Sequence, residues 1–183
     1  TGHPHAKVRE ECILSLVKLL GPAAARILLM MLDDKDDGNV RKVIQNLGAI
    51  HCVDKSFLNK IRDTVRLRTR KETEPHDWLQ VACLRALSHY QGVALPEGTP
   101  DFEPLLIENL RPSPFKRLLP GKWGIRRKSE DVIKMCAGAL ATLGTAKSLA
   151  ALRIHEQSEF EATRRSVADA IAAIEAREAA KKA

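Results

Sequence analysis

Aromatic residues are scarce in this chain of 183 residues, where one Tyr, two Trp and four Phe make up 4% of the sequence. β-Sheets favour aromatic and β-branched residues, so this scarcity, together with many Ala and Leu, predicts an all-α fold. Hydrophobic residues make up 44% and charged residues 29%, which is typical of a folded domain and not of a disordered chain. The length corresponds to about one domain, which we assign to residues 1–183.

Signals for membranes and for disulfides are also missing. No run approaches 18 consecutive apolar residues, and the start does not read as a signal peptide, so we expect no membrane partner and a cytoplasmic location. Four cysteines in this length do not make a disulfide framework. The chain begins at Thr1 and not at Met, which we interpret as a piece of a longer protein.

Motifs that carry catalysis or bind cofactors are absent as well. The sequence has no C-x-x-C, H-E-x-x-H, nucleophile elbow, phosphate-binding loop or dinucleotide fingerprint. The Asp-rich run at 33–37 lacks the glycine and glutamate spacing of a calcium loop. Cys52, beside His51, could be a reactive thiol, but a structural cysteine is the favoured interpretation. We therefore predict no enzyme activity, no catalytic residue, no cofactor, no metal and no small-molecule substrate.

An internal repeat is the main positive signal. Five segments, starting at Val8, Asn39, Leu79, Val132 and Thr163, share apolar residues at offsets 4, 5, 8 and 11 from the first residue. These offsets lie on one face of an α-helix. Offset 4 is always Cys or Val, so we predict a buried position where helices approach closely. The residues at that offset are Cys12, Val43, Cys83, Cys136 and Val167.

Helices of a second kind are predicted between the repeated segments, at residues 23–32, 57–67, 102–110 and 148–154, each with its own apolar stripe. The turns between helices carry capping signals. The acidic run from Asp33 to Asn39 predicts a cap for the helix that follows it. Ser158-x-x-Glu161 predicts a capping box before the last helix.

The combination of these two helix types resembles HEAT repeats, in particular the bacterial HEAT-like repeats of the phycobilisome-lyase type. In this sequence Ile27–Leu32 followed by Asp33 matches the first helix of that repeat, and Val40-Arg41 with Leu47-Gly48 matches the second. The resemblance implies an α-solenoid of about five helical hairpins, the first incomplete, wound into a right-handed superhelix. It implies no catalytic residue. Further matches to the second helix are Val8-Arg9 and Leu143-Gly144.

The spacing of the repeat is irregular. The residues at offset 8 are separated by 31, 40, 53 and 31 residues, whereas a helical-hairpin repeat needs roughly 30–45. The longest step predicts an insertion near 91–128. Arginines near the starts of the second helices are expected to pair with turn aspartates such as Asp33 and form a ladder of ion pairs. These arginines are Arg9, Arg41 and Arg164.

Positive charge is concentrated where the repeat is stretched. Residues 60–71 hold six basic residues and one acid, and residues 111–128 hold seven basic residues and no acid. Together they carry +12, so the remaining residues carry −5 of the net +7. Pro112, Pro114 and Pro120 break any long helix in the second stretch, so we interpret 111–128 as a basic, proline-containing insertion within the domain.

These two stretches supply the candidate partner-binding residues. The sequence favours a non-catalytic protein-protein interaction scaffold module of a larger bacterial protein, with an acidic protein surface as the partner. Binding of nucleic acid through its phosphates is the alternative, and a solvated face without a partner also stays open. The candidate residues are Arg62, Arg66, Arg70, Lys116, Arg117, Lys122, Trp123, Arg126 and Arg127.

Overall fold

The computed structural model describes residues 2–70, 77–111 and 130–182, with side chains of helix 55–70 described as far as residue 66. Within these residues every regular element is helical, which confirms the predicted all-α class. Two short 3₁₀ turns lie at Gly21–Ala24 and Ala146–Ser148. The α-helices are α1 (Ala6–Leu20), α2 (Ala25–Leu29), α3 (Asp37–Ala49), α4 (Lys55–Arg70), α5 (Asp77–Ser88), α6 (Glu103–Leu110), α7 (Glu130–Leu143), α8 (Leu149–Arg153) and α9 (Glu161–Ala180).

The helices pack in two layers. Helices α1, α3, α5, α7 and α9 each contain one repeated segment, and each contacts the next member of this series; we call them the odd layer. Helices α2, α4, α6 and α8 form the even layer, in which each helix contacts the odd-layer helix that follows it in sequence. Within the even layer α6 contacts both α4 and α8.

The core lies between the layers and is built from the repeated apolar offsets. Leu47, Leu87 and Leu140, all at offset 8, are buried, and fully burying one leucine side chain contributes about 1.5–3 kcal/mol. Tyr90 is the largest fully buried side chain of the described residues, and its hydroxyl donates a hydrogen bond to the carbonyl oxygen of Cys52. The apolar periodicity therefore marks the core face of each odd-layer helix.

The start of α3 is fixed by two polar contacts. The Asp36 carboxylate accepts a hydrogen bond of 2.9 Å from the backbone N–H of Asn39, so the acidic run caps this helix as predicted. The Asn39 amide donates at 3.1 Å to the carbonyl oxygen of Ala6, which ties α3 to α1. The predicted capping box of α9 is wrong, because its N-cap is Phe160 and the Ser158 hydroxyl accepts only from the Phe160 N–H.

One further expectation needs correction. Cys83 and Cys136 are buried as predicted, but Cys12 is exposed, because α1 is the first odd-layer helix and no earlier helix of the described residues covers its outer side. The helix predicted at residues 102–110 is confirmed as α6, which lies in the even layer. The predicted basic insertion at 111–128 lies, apart from residue 111, outside the described residues.

Candidate interaction surfaces

The basic residues at the start of stretch 60–71, which lie on α4, are partly neutralised by acidic neighbours. Lys60 Nζ lies 2.6 Å from Asp33 Oδ1, and Arg62 Nε lies 2.9 Å from Asp63 Oδ1. Arg66 is exposed one turn further along the helix. Because exposed ion pairs offset local charge while adding little stability, the α4 surface is less basic than its sequence alone indicates.

Most of the other predicted partner-binding residues fall outside the described residues. The structure therefore places Arg62 and Arg66 one helical turn apart on α4, and it does not relate the two basic stretches to one another. The side chain of Arg70 also lies beyond the described part of α4. The remaining predicted residues outside the described ranges are Lys116, Arg117, Lys122, Trp123, Arg126 and Arg127.

The arginine at the start of α1 makes a buried ion pair. Arg9 Nε and Nη2 each lie 2.7 Å from one carboxylate oxygen of Asp34, and Nη1 donates to the carbonyl oxygens of His3 and Pro4. The hydrogen bond from Arg9 lowers the pKa of Asp34 from 3.8 to about 2. Arg9 thus pairs with a turn aspartate as predicted, but the partner is Asp34 and not Asp33.

The other two arginines of the predicted ladder contact different groups. The Arg41 guanidinium lies 5.3 Å from the ring centroid of Trp78, a distance suited to a cation–π contact, and its Nε is buried without a hydrogen-bond partner among the described residues. Arg164 donates at 2.6 Å to the carbonyl oxygen of Ser158. A uniform ladder of ion pairs is therefore not present along the described helix starts.

A buried carboxylate links α6 to the start of α8. Glu103 accepts hydrogen bonds from the N–H of Thr145 at 2.7 Å, from the Thr145 hydroxyl and from the Ser148 hydroxyl. Burial by itself raises the pKa of Glu103, but these hydrogen bonds outweigh burial and lower it. The carboxylate is held charged by structural contacts, and it lines a cleft of about 360 Å³ with Arg111 and Lys147.

A cleft of about 480 Å³ lies between the start of α3 and α4. Its rim carries four aspartates, of which Asp33, Asp34 and Asp63 are paired with Lys60, Arg9 and Arg62. Within the described residues no group of three or more His, Cys, Asp or Glu side chains is placed to hold a metal ion. Burial raises the pKa of the Cys52 thiol, which opposes formation of a reactive thiolate.

The most unusual surface is an exposed apolar stripe on the outer side of α1. We call Val8, Cys12, Ser15 and Leu19, at offsets 0, 4, 7 and 11, the α1 stripe. All four are exposed, Val8 by 42% and Leu19 by 81%. The equivalent residues of the other odd-layer helices are buried or half-buried. They are Asn39, Val43, Asn46 and Ile50 in or beside α3, Leu79, Cys83, Ala86 and Tyr90 in or beside α5, Val132, Cys136, Ala139 and Leu143 in α7, and Thr163, Val167, Ala170 and Ile174 in α9.

Contacts in three helices show that these offsets face the preceding odd-layer helix. Asn39, at offset 0 of α3, donates to a carbonyl of α1. Ala86, at offset 7 of α5, lies against Gly48 of α3. Thr163, at offset 0 of α9, donates at 2.6 Å to Glu130 of α7. The α1 stripe is therefore the surface on which an earlier helix of the same kind would pack.

The opposite end of the odd layer is polar. The residue at offset 5 is a buried Ile, Leu or Ala in α1, α3, α5 and α7. In α9 the residue at this offset is Ala168, which is exposed. Ala172 is also exposed, and charged side chains surround the two alanines. Terminal repeats with a polar outer face are known to end stacked helical repeats. The charged residues are Arg164, Arg165, Asp169 and Glu175.

Segment Ala6–Leu29 has the length and mean hydropathy to cross a membrane, a criterion that core helices and signal sequences also satisfy. The segment is apolar on average without containing an unbroken apolar run of 18 residues, so the expectation of no membrane partner stays a prediction. The helix is interrupted at Gly21, whose φ of 52° ends α1. Ile13, Ala24 and Leu28 of this segment belong to the core of the domain.

Sequence reasoning missed the α1 stripe as a surface, although one signal for it was present. That signal is the alignment of the first segment with the other four, which makes Val8, Cys12 and Leu19 equivalent to residues of the other odd-layer helices.

Comparison with known protein families, with curated proteins and with solved structures gives no match to this chain.

Proposed function

We propose that this chain is a non-catalytic protein-interaction scaffold, one module of a larger bacterial protein, with the α1 stripe as a contact surface. The observation that carries the proposal is the exposure of this stripe where the residues of the four equivalent stripes are buried or half-buried. Large contiguous apolar patches exposed on folded domains mark sites of interaction, and the proposal extends this rule to the smaller α1 stripe. The partner chemistry it fits is an amphipathic α-helix, because helices cover every equivalent stripe within the chain.

The proposed architecture is an α-solenoid of about five HEAT-like hairpins, the first incomplete. The serial contacts of the odd-layer helices and the pairing of each even-layer helix with the next odd-layer helix support it. The polar outer face of α9 supports it too, because solenoids need such a face where stacking stops. In this proposal the two ends of the stack differ, and binding is directed to the α1 end.

The scaffold proposal is tested by capturing partner proteins with matched variants of the two ends. Val8→Ser combined with Leu19→Ser makes the α1 stripe polar, and Ala168→Ser combined with Ala172→Ser is the control at the α9 end. Circular dichroism first checks that both variants remain folded. We expect the α1 variant to lose proteins that the wild type and the control retain. Equal capture by all three proteins would refute the stripe as the contact surface.

Nucleic-acid binding is the second candidate, supported by the +12 carried by residues 60–71 and 111–128. It predicts affinity for a random duplex or single strand that falls steeply between about 50 and about 200 mM salt, because bound phosphates release counterions. Replacing Lys116, Arg117, Arg126 and Arg127 with Glu should then abolish binding. No binding at the lower salt concentration would refute this candidate and leave the scaffold.

A further inference from the structure

We propose that the cleft between the start of α3 and α4, which we call the α3–α4 cleft, binds an arginine side chain of a partner peptide. The proposal goes beyond the scaffold function, because it concerns a site other than the α1 stripe and names the chemistry of its ligand. The walls of the cleft belong to the turn before α3, to α3, to α4 and to the start of α5. Described helices lie before and after these elements, so helices that extend the stack beyond α1 or α9 would not fill the cleft.

The floor of the α3–α4 cleft is apolar. Leu32, Val40 and Leu79 line it, and all three are buried residues of the core. The cleft volume of about 480 Å³ falls in the size range of sites that hold ligands. Such a floor fits the methylene groups of a long side chain, which cover apolar surface while the charged end of that side chain reaches polar groups.

The rim of the cleft is acidic in a chain that is basic overall. Four aspartates and one lysine line the cleft, which gives it a formal charge of −3, whereas the whole chain carries +7. Asp34 is held by Arg9 in a buried ion pair, so its carboxylate is not available to a ligand. Asp37 belongs to α3 and Asp63 to α4, which places carboxylates on two sides of the cleft. The sign of the rim therefore selects a cation as the ligand.

One buried polar side chain that lines the cleft lacks a partner. Thr64 is only 7% exposed, yet its hydroxyl makes no hydrogen bond with another residue of the described ranges. A hydroxyl that is removed from water on folding without gaining a partner destabilises the protein. The Thr64 oxygen can accept a hydrogen bond from an N–H group of a ligand, and a cationic N–H group is what the acidic rim also favours.

Lys60 already places one cation at this rim. Its ammonium nitrogen lies 2.6 Å from Asp33 Oδ1, in a pair whose aspartate side chain is 88% exposed. The pair of Arg62 with Asp63 is exposed as well. Because exposed ion pairs contribute little stability, a ligand cation can replace either partner at small cost. Asp33 and Asp63 are therefore accessible to a ligand although both are paired in the free protein.

Arginine fits this arrangement better than lysine. Its planar guanidinium offers five N–H donors and is less strongly hydrated than an ammonium group. One guanidinium can therefore donate to carboxylates on both sides of the cleft and to the Thr64 hydroxyl as well. A lysine ammonium is compact and has three donors. We therefore expect the cleft to prefer arginine over lysine by several-fold.

The proposal is tested by titrating the nitrogen-15-labelled protein with three short peptides. Acetyl-Leu-Arg-Leu-amide carries arginine as its only charge, a second peptide has lysine in its place, and a third has citrulline, which has the shape of arginine without the charge. The arginine peptide should shift the amide resonances of Asp37, Val40 and Thr64, the lysine peptide should bind several-fold more weakly, and the citrulline peptide should bind at least tenfold more weakly. Equal binding of the arginine and citrulline peptides, or no shift at these residues up to about 5 mM peptide, would overturn the proposal.

Variants of the cleft residues test each contact with the arginine peptide. Asp63→Asn should weaken binding several-fold because it removes a carboxylate, and Lys60→Met should strengthen it because it removes a competing cation. Thr64→Val should weaken binding roughly 3–10-fold, which is the effect of one hydrogen bond. Asp169→Asn, the same change of charge at an exposed residue of α9, is the control that should bind like the wild type. Wild-type affinity in Asp63→Asn or Thr64→Val would overturn the proposal.

Thermal unfolding of Thr64→Val gives a measurement that involves no ligand. Valine has nearly the shape of threonine and needs no hydrogen bond, so the variant should be at least as stable as the wild type. A clearly lower Tm would show that the hydroxyl has a partner within the folded chain and would overturn the proposal. None of these variants alters the α1 stripe, so failure of peptide binding at the cleft and failure of partner capture at the stripe are separate results.

Discussion

Helices α3 and α5 approach each other so closely at Gly48 that a single added methyl group should lower the stability of the protein. A Cβ added at Gly48 would lie 2.7 Å from Ala86 Cβ and 2.8 Å from Ala86 Cα. The second atom belongs to the backbone, so no change of side-chain rotamer relieves the overlap. The two helices must separate or α3 must shift, and either movement disturbs the core between the layers. We therefore predict that Gly48→Ala destabilises the protein.

The magnitude follows from two opposing effects. Replacing Gly by Ala inside a helix stabilises it by about 1 kcal/mol at most, and Gly48 is the last but one residue of α3, where this gain is smaller. Overpacking a close contact costs about 1–3 kcal/mol. We expect a net loss of about 1–2 kcal/mol in the free energy of unfolding, which lowers Tm by about 2–8 °C for a chain of this size.

Gly138→Ala is the matched control. Gly138 lies in the middle of α7, also in the odd layer, and a Cβ there would have only Ser88 Cβ nearby, at 3.9 Å. This variant keeps the helix-propensity gain without the overlap and should be more stable by up to about 1 kcal/mol. Urea denaturation of both variants followed by far-UV circular dichroism measures the difference. Equal stabilisation by the two substitutions would show that α3 and α5 are further apart than the structure places them.

Three further predictions concern buried charges and the α1 stripe. Because the pKa of Asp34 is about 2 in the folded protein and 3.8 without its contacts, its carboxylate contributes about 2 kcal/mol above pH 5, which is lost as the pH falls towards 2. Unfolding by urea across this range should show a smaller loss for Asp34→Asn than for the wild type. Glu103→Gln should cost about 1.5–3 kcal/mol in thermal unfolding, since it replaces a charged acceptor of the Thr145 and Ser148 hydrogen bonds. In dilute protein Leu19→Ala should change stability by less than about 0.5 kcal/mol, whereas Ile174→Ala, at the same offset of α9 but buried, should cost about 2–5 kcal/mol; similar losses for both would contradict the exposure of the stripe.

Helical periodicity was sufficient to predict which faces of the helices are apolar, but not which faces are covered. Val43, Cys83, Cys136 and Val167 are buried as their shared offset predicts. Cys12 has the same offset and is exposed. The difference lies in the neighbouring helix, and a pattern within one helix carries no information about that neighbour.

Counting charges along a stretch of sequence also ignores the neighbouring elements, so it does not give the charge of the folded surface. Lys60 contributes to the basic stretch of α4, yet it contacts Asp33, which precedes it by 27 residues in the chain. Arg9 similarly pairs with Asp34 across 25 residues. The sign of a surface depends on such contacts between elements, so the sum over a stretch overstates the charge that a partner meets.

Glycine shows how one residue type serves two purposes that the sequence does not separate. Leu47-Gly48 resembles the end of a repeat helix, and a glycine there is ordinarily explained by the termination of the helix. In the structure Gly48 remains helical and its missing side chain makes room for Ala86. The helix-ending function belongs instead to Gly21, which has a positive φ and open space where a Cβ would lie.

The outward-facing residues of α1 and α9 differ in how favourably they would bind a partner helix. Outward-facing positions of α9 hold alanine and charged residues, so covering them would release little apolar surface and would desolvate charge. The outward positions of α1 keep Val8 and Leu19, whose burial is favourable by about 25 cal/mol per Å². A partner helix therefore gains more free energy at α1 than at α9, whichever protein supplies it. This difference predicts that substitutions at the α1 end change association, and that equivalent substitutions at the α9 end do not.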